Sequence, residues 1–86
     1  MTCTVTYTAR ARRDLRSLPA EAARQVIRSV AGIRENPYQH VRNLGGFPGT
    51  PVYRLRVGQY RVILTIEDEH LLILVLEVGH RSSIHR

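Results

Sequence analysis

Apolar and polar positions alternate at the start of the chain, with Cys3, Val5 and Tyr7 on one side and Thr2, Thr4, Thr6 and Thr8 on the other. That period of two predicts a half-buried strand whose threonine side is wet or at an edge. The period then lengthens. Ala11, Leu15 and Leu18 recur at i, i+4 and i+7, one stripe of a short helix, while Arg10, Arg12, Arg13 and Arg16 occupy the remainder. Pro19 ends this helix and is expected to open a second as its first residue. The second helix is predicted from about Pro19 to Glu35, burying Ala23, Val26 or Ile27, Val30 and Ile33, until Asn36 and Pro37 stop it. Such a helical hairpin needs a surface for its shared apolar side to cover.

The strands that follow supply that surface. Residues 36 to 51, with three glycines and three prolines, read as a connection in which Leu44 and Phe47 plug the core. From Val52 the period returns to two, predicting antiparallel strands at 52–57, 60–66 and 71–78. Leu71 to Leu76 is apolar on both faces, the mark of a central strand with something packed on each side. The pattern implies one α+β domain, residues 1–86, with an N-terminal strand and a two-helix hairpin packed on an antiparallel sheet in the order β-α-α-β-β-β.

The stretch YRLRVGQYR, residues 53 to 61, fixes a register. Gly58 and Gln59 suit a two-residue turn with glycine at the first central position. Val57 then lies opposite Tyr60, Arg56 opposite Arg61, Leu55 opposite Val62 and Arg54 opposite Ile63. Tyr53, Leu55, Val57, Tyr60, Val62, Leu64 and Ile66 face the helices, which gathers Arg54, Arg56 and Arg61 on the other face. Like charges across a strand pair are destabilising. A sheet that grips phosphates has a reason to keep three guanidiniums together, whereas the bland alternative is a solvated charged face.

Composition strengthens the anionic reading. Thirteen arginines and no lysine against seven acidic residues leave a formal charge of +6 on 86 residues. A coding bias accounts for arginine in place of lysine but not for the excess of positive charge. A polyanion or an acidic protein is therefore the expected partner. The single cysteine, Cys3, excludes an internal disulfide, and scattered histidines give no metal box, so no cofactor or metal is expected. The longest apolar run, Leu71 to Leu76, is far below the roughly 18 to 20 residues of a membrane span. A cytoplasmic location without membrane contact is the expectation.

The tail EVGHRSSIHR, residues 77 to 86, carries a second basic group: His80, Arg81, His85 and Arg86. Strict alternation puts Arg81 and Glu77 with Val75 on the core side. A bend or bulge at Gly79 that sends Arg81 to the arginine face is one resolution, and a pair with Glu77 is the other. His70 and His40 read as turn and loop residues.

YRLRVGQYRVI, an acidic turn and LEVGHR together resemble the signature of RelE-type toxins, with their YoeB relatives and the related ParE group. With the opening TYTARARRDLRSLP the resemblance spans essentially the whole chain. It implies a microbial-ribonuclease-like fold that enters the ribosomal A site and cuts messenger RNA to a 2′,3′-cyclic phosphate without a metal. Arg54 and Arg56 match the family's basic residues before the hairpin turn, Arg61 its arginine after the turn, and Arg81 its arginine after the last strand. His80 matches the basic residue before that terminal arginine. The family's usual terminal tyrosine falls at His85, a departure that removes a phenol and supplies an imidazole.

Metal-independent RNA cleavage needs proton removal from a 2′-hydroxyl and neutralisation of charge on the phosphate. Arginines serve the second task but not the first, because their pKa exceeds about 12. His85 is therefore expected to move the proton and Arg61 and Arg81 to clamp the phosphate. Arg54, Arg56, His80 and Arg86 are expected to hold the RNA. The resemblance implies a RelB-like antitoxin as partner, with operator DNA reached only through it. Two other classes stay open: a ParE-like gyrase inhibitor, and an inactive module that binds its antitoxin.

Overall fold

In a computed structural model, which describes residues 2–47 and 49–80 and only the backbone of Phe47, the chain runs β1 (Thr4–Tyr7), α1 (Ala9–Arg16) and α2 (Ala20–Gly32). A 3-10 turn (Pro37–Gln39) leads to β2 (Arg42–Phe47), β3 (Thr50–Val57), β4 (Tyr60–Glu67) and β5 (Leu72–His80). The strands form one sheet ordered β1-β5-β4-β3-β2. β1 runs parallel to β5, and the other neighbours are antiparallel. The fold is α+β with the expected helical hairpin and terminal strands. The sheet holds one strand more than the hydrophobic pattern shows, and one of its edges is parallel.

Both helices cover one face. Val26, Val30, Val62, Leu64, Ile73 and Val75 are completely buried between the layers, and Ala11 has no exposed surface where α1 meets the sheet. Val26 rather than Ile27 fills the core, since Ile27 is 47% exposed, and Ala23 is half-buried. Pro19 caps α2 in an extended conformation rather than serving as its first residue. The helix ends at Gly32, short of Glu35, because the chain is drawn across to β1. The Arg34 Nε donates to the Cys3 carbonyl at 2.8 Å, and the Cys3 N–H donates to the Arg34 carbonyl at 3.0 Å.

The additional strand, β2, has no period-two signal because backbone conformation makes it. Gly45 and Gly46 have φ of +90° and +117°, and a Cβ at Gly46 would lie 2.9 Å from the Thr50 carbonyl oxygen. Leu44 was expected in the core. It is instead 47% exposed, as the extra residue of a bulge between Asn43 and Gly45. The side chain of Phe47 lies outside the described residues.

A second bulge bends β5. Leu64 pairs with Val75 but Ile63 pairs with Glu77, so Leu76 is the extra residue. The expected break at Gly79 therefore falls three residues earlier. It moves Glu77 off the core side and leaves Val78 buried. Beyond the bulge, helix α1 takes over from β1 as the neighbour of β5. The Thr8 hydroxyl donates to the bulged Leu76 carbonyl at 2.8 Å and accepts from the Ala11 N–H at 3.0 Å, capping α1. Asp14 Oδ2 accepts from the Val78 N–H at 3.0 Å. Leu72, Leu74 and Leu76 are only half-buried, because the helices occupy one side of β5 and no described element packs on the other.

Thr8 thus serves helix and bulge with one oxygen. Thr8→Val keeps the shape and removes both bonds, and is expected to cost about 2 kcal/mol. For a domain of this size that corresponds to a fall of roughly 8 to 16 °C in thermal midpoint. A midpoint within a degree or two of the parent in a thermal melt would show that neither bond matters.

Candidate functional site

The hairpin of β3 and β4 pairs as the sequence requires: Val57 with Tyr60, Arg56 with Arg61, Leu55 with Val62 and Arg54 with Ile63. Gly58 takes φ of +57° while Gln59 does not take a positive φ, the pattern of a type II′ turn. Leu55, Val57, Val62, Leu64 and Ile66 are buried on the helix side. Period-two alternation then leaves Arg54, Arg56 and Arg61 together on the face without helices. Ile63 shares that face; it is buried yet stands apart from the core cluster.

β2 brings a fourth guanidinium. Arg42 pairs directly with Arg54, giving one cross-strand row of Arg42, Arg54, Ile63 and Glu77, and beside it a row of Arg56, Arg61 and Gly79. Arg42 and Arg56 are exposed, whereas Arg54 and Arg61 are half-buried. Gly79 leaves no side chain across from Arg61. The Arg54 guanidinium is pushed below its ordinary pKa, first by burial and then by Arg61, Arg42 and Arg56. Arg54 therefore sits in the field of all three others. At ordinary pH it stays charged; burial is the larger cause of the shift, and an anion would relieve the part that comes from the neighbouring guanidiniums.

Glu77 is the one carboxylate in these rows. It is held by Arg10 of α1 at 3.0 Å; the alternative pairing with Arg81 lies outside the described residues. Among the described residues no carboxylate forms an ion pair with Arg42, Arg54 or Arg56.

The histidines divide. His80 pairs with Tyr60, its ring 5.7 Å away and nearly perpendicular, which puts it in the Tyr60 row at the lip of the hairpin and not among the arginines. His70 lies in the β4–β5 turn with Nδ1 3.0 Å from Glu67 Oε1, and His40 is an exposed loop residue. A hollow of about 570 Å³ opens at the far end of β4, where Tyr38, Tyr53, Glu67, Asp68 and His70 line it. Its acidic wall repels phosphate, so the arginine face is the better candidate for an anion. Arg81, His85 and Arg86 lie outside the described residues.

This fold, a two-helix layer behind a five-stranded sheet, has known counterparts. The family model described as the ParE toxin of the type II toxin-antitoxin system parDE matches residues 5–85. The chain belongs to the RelE/ParE family of type II toxins. It is 34% identical to toxin RelG of Mycobacterium tuberculosis over 91 aligned positions, covering all of this chain and 99% of the relative. It is 27% identical to the mRNA interferase toxin RelE of Escherichia coli, over 85% of this chain and 77% of that toxin. The solved toxin–antitoxin complex RelBE2 of M. tuberculosis contains a chain that superimposes with a TM-score of 0.82 at 32% identity, covering 94% of this chain and 100% of the other.

Within this RelE/ParE frame Arg42 is the residue that hydrophobic patterning missed. The only sequence hint was an asparagine followed by a double glycine, Asn43 with Gly45 and Gly46. In the structure the Asn43 side chain accepts from the Gly45 N–H at 2.7 Å and stabilises the bulge.

Proposed function

We propose that this toxin is a metal-independent endoribonuclease that acts in the cytoplasm and cuts messenger RNA presented in the ribosomal A site. The observation that carries this reading is the row-and-row clustering of Arg54, Arg56 and Arg61 beside Arg42, without carboxylate partners for Arg42, Arg54 and Arg56 among the described residues. A sheet built only for stability gains by alternating charge signs, and this one forgoes that gain where phosphate would restore it.

In the proposed reaction the 2′-oxygen attacks the adjacent phosphorus, the bond to the 5′-oxygen breaks, and a 2′,3′-cyclic phosphate and a 5′-hydroxyl result. Neutral His85 accepts the 2′-hydroxyl proton. The 5′-oxygen takes a proton from water, and the hydroxide left behind is neutralised by the imidazolium. Arg61 and Arg81 stabilise the charge that develops on the phosphoryl oxygens. Arg54 and Arg56 hold the backbone, with His80 and Arg86 as outer contacts; His80 reaches RNA only where it passes the hairpin lip.

A RelB-like antitoxin is the proposed partner. The RelBE2 relative is solved as a toxin–antitoxin complex, and an antitoxin with an apolar helix and acidic residues suits a chain of charge +6. Co-expression with the neighbouring small reading frame should yield a stable stoichiometric complex, and failure of every such frame to do so counts against the partner.

The second reading, inhibition of DNA gyrase, is favoured by the ParE description of the matching family model. Mapping RNA ends after brief expression separates the two. The ribonuclease reading expects messages cut within codons and 2′,3′-cyclic phosphate ends, with intact chromosomal DNA. Broken DNA with uncut messages would select the gyrase reading. Purified toxin should cut free RNA poorly and ribosome-bound message well, and equal rates on the two would reject ribosome dependence.

A further inference from the structure

The bulge at Leu44 decides where Arg42 points. From the turn outward, Phe47 pairs with Thr50, Gly46 with Pro51 and Gly45 with Val52. Continued without interruption, that register would set Arg42 opposite Leu55, on the face that packs against the helices. One extra residue shifts the register by one, so that Asn43 pairs with Tyr53 and Arg42 with Arg54. A bulge in an edge strand re-aims the side chains beyond it. Here it carries a guanidinium from the core side to the arginine side, against the repulsion of three others. The bulge also leaves Leu44 47% exposed, so it is not a device for burying that leucine.

We propose that Arg42 is a phosphate-binding residue, extending the RNA track from the cleavage centre across the edge of the sheet to a neighbouring phosphate of the same strand. The proposal rests on the ribonuclease reading above. Arg42 lies two strands and one cross-strand row from Arg61, a backbone separation of roughly 12 Å. That is too far to share one phosphate comfortably, and it leaves Arg42 to take a flanking one. Its role is binding and positioning, with no part in the bond-breaking step.

The test uses the whole toxin and a short single-stranded RNA blocked at every 2′-oxygen by methylation, which binds but cannot be cut. Affinity is measured between about 50 and 200 mM salt. Each phosphate contact to a single strand contributes about 0.7 to the slope of log affinity against log salt. Arg42→Gln should weaken binding about three- to tenfold at low salt and flatten that slope by about 0.7. Arg42→Lys should keep most of the slope, because the charge remains. Arg28→Gln, on the exposed side of α2, should leave it unchanged. Arg42→Gln should raise the toxin concentration needed for half-maximal single-turnover cleavage of ribosome-bound message by about the same three- to tenfold. A variant that merely loosened the fold would lose affinity without this charge-specific change in slope. If the parent shows a steep slope and Arg42→Gln matches it, the Arg42 proposal is overturned while the ribonuclease reading stands. If the parent does not bind the RNA at all, the Arg42 proposal is overturned, and the ribonuclease reading is decided separately by the mapping of message ends.

Discussion

Arg61→Ala should slow single-turnover cleavage of ribosome-bound message by about 10²- to 10³-fold, the cost of removing one preorganised donor from a developing oxyanion. The position supports so large an effect. Arg61 is half-buried across from Arg56, with Gly79 on its other side, so its guanidinium works where water is partly excluded. The register places it at the centre of the charged face, flanked on β3 by Arg54 and Arg56. Arg61→Lys should fall between parent and Ala, because an ammonium keeps the charge but loses the planar fork. The effect should appear in the rate at saturating toxin, since an interaction made only in the transition state lowers the chemical step itself. A saturating rate equal to that of the parent, in a variant with the parent's circular dichroism and melting point, would remove Arg61 from the chemistry.

The larger expected effect is at His85. His85→Ala should lower the same rate by roughly 10²- to 10⁴-fold, the range for a positioned proton-transfer group. The arginines cannot take over this task, since a group with a pKa above about 12 has almost no free-base form at neutral pH. If His85 is the base, activity requires its neutral form. The rate should therefore be low at acid pH and rise through the imidazole pKa, ordinarily about 6.5 and lower beside cations. His85→Tyr, which restores the residue usual in the family, should retain substantial activity. Its rising limb should move toward higher pH, because a phenol loses its proton near pH 10 unless neighbouring arginines lower that value. Rate against pH for both variants, with a folding check, decides the matter. If the Ala variant cuts at the parent rate across the profile, His85 is a bystander and the proton goes elsewhere.

The local pairing of charges was legible in the chain itself. A two-residue turn at Gly58–Gln59 leaves one register that buries Leu55, Val57, Val62, Leu64 and Ile66 together, and that register fixes Arg56 against Arg61. The two helices were legible as elements, because Ala11 with Leu15 and Val26 with Val30 repeat at helical spacing, although α2 ends at Gly32 and not at the Glu35 that the stop at Asn36 implied. These are short-range consequences of side-chain period and turn geometry.

What only the tertiary structure decided lies at the two bulges and the edge strand. A strand such as RNLGGF forms because β3 offers hydrogen bonds and because Gly45 and Gly46 accept positive φ, and neither fact leaves an alternating pattern to read. Extra residues at Leu44 and Leu76 each invert the side-chain parity of their strand. Reading residues 36 to 51 as a connection therefore put Leu44 in the core and overlooked Arg42, and period counting set Glu77 on the wrong face. The second bulge holds its place through Thr8 and Asp14, which are 68 and 64 residues away in sequence. Sequence period reports which face a residue takes only while the register is unbroken. Where a distant partner satisfies the backbone of an extra residue, the face is set by that partner, and only the folded chain shows it.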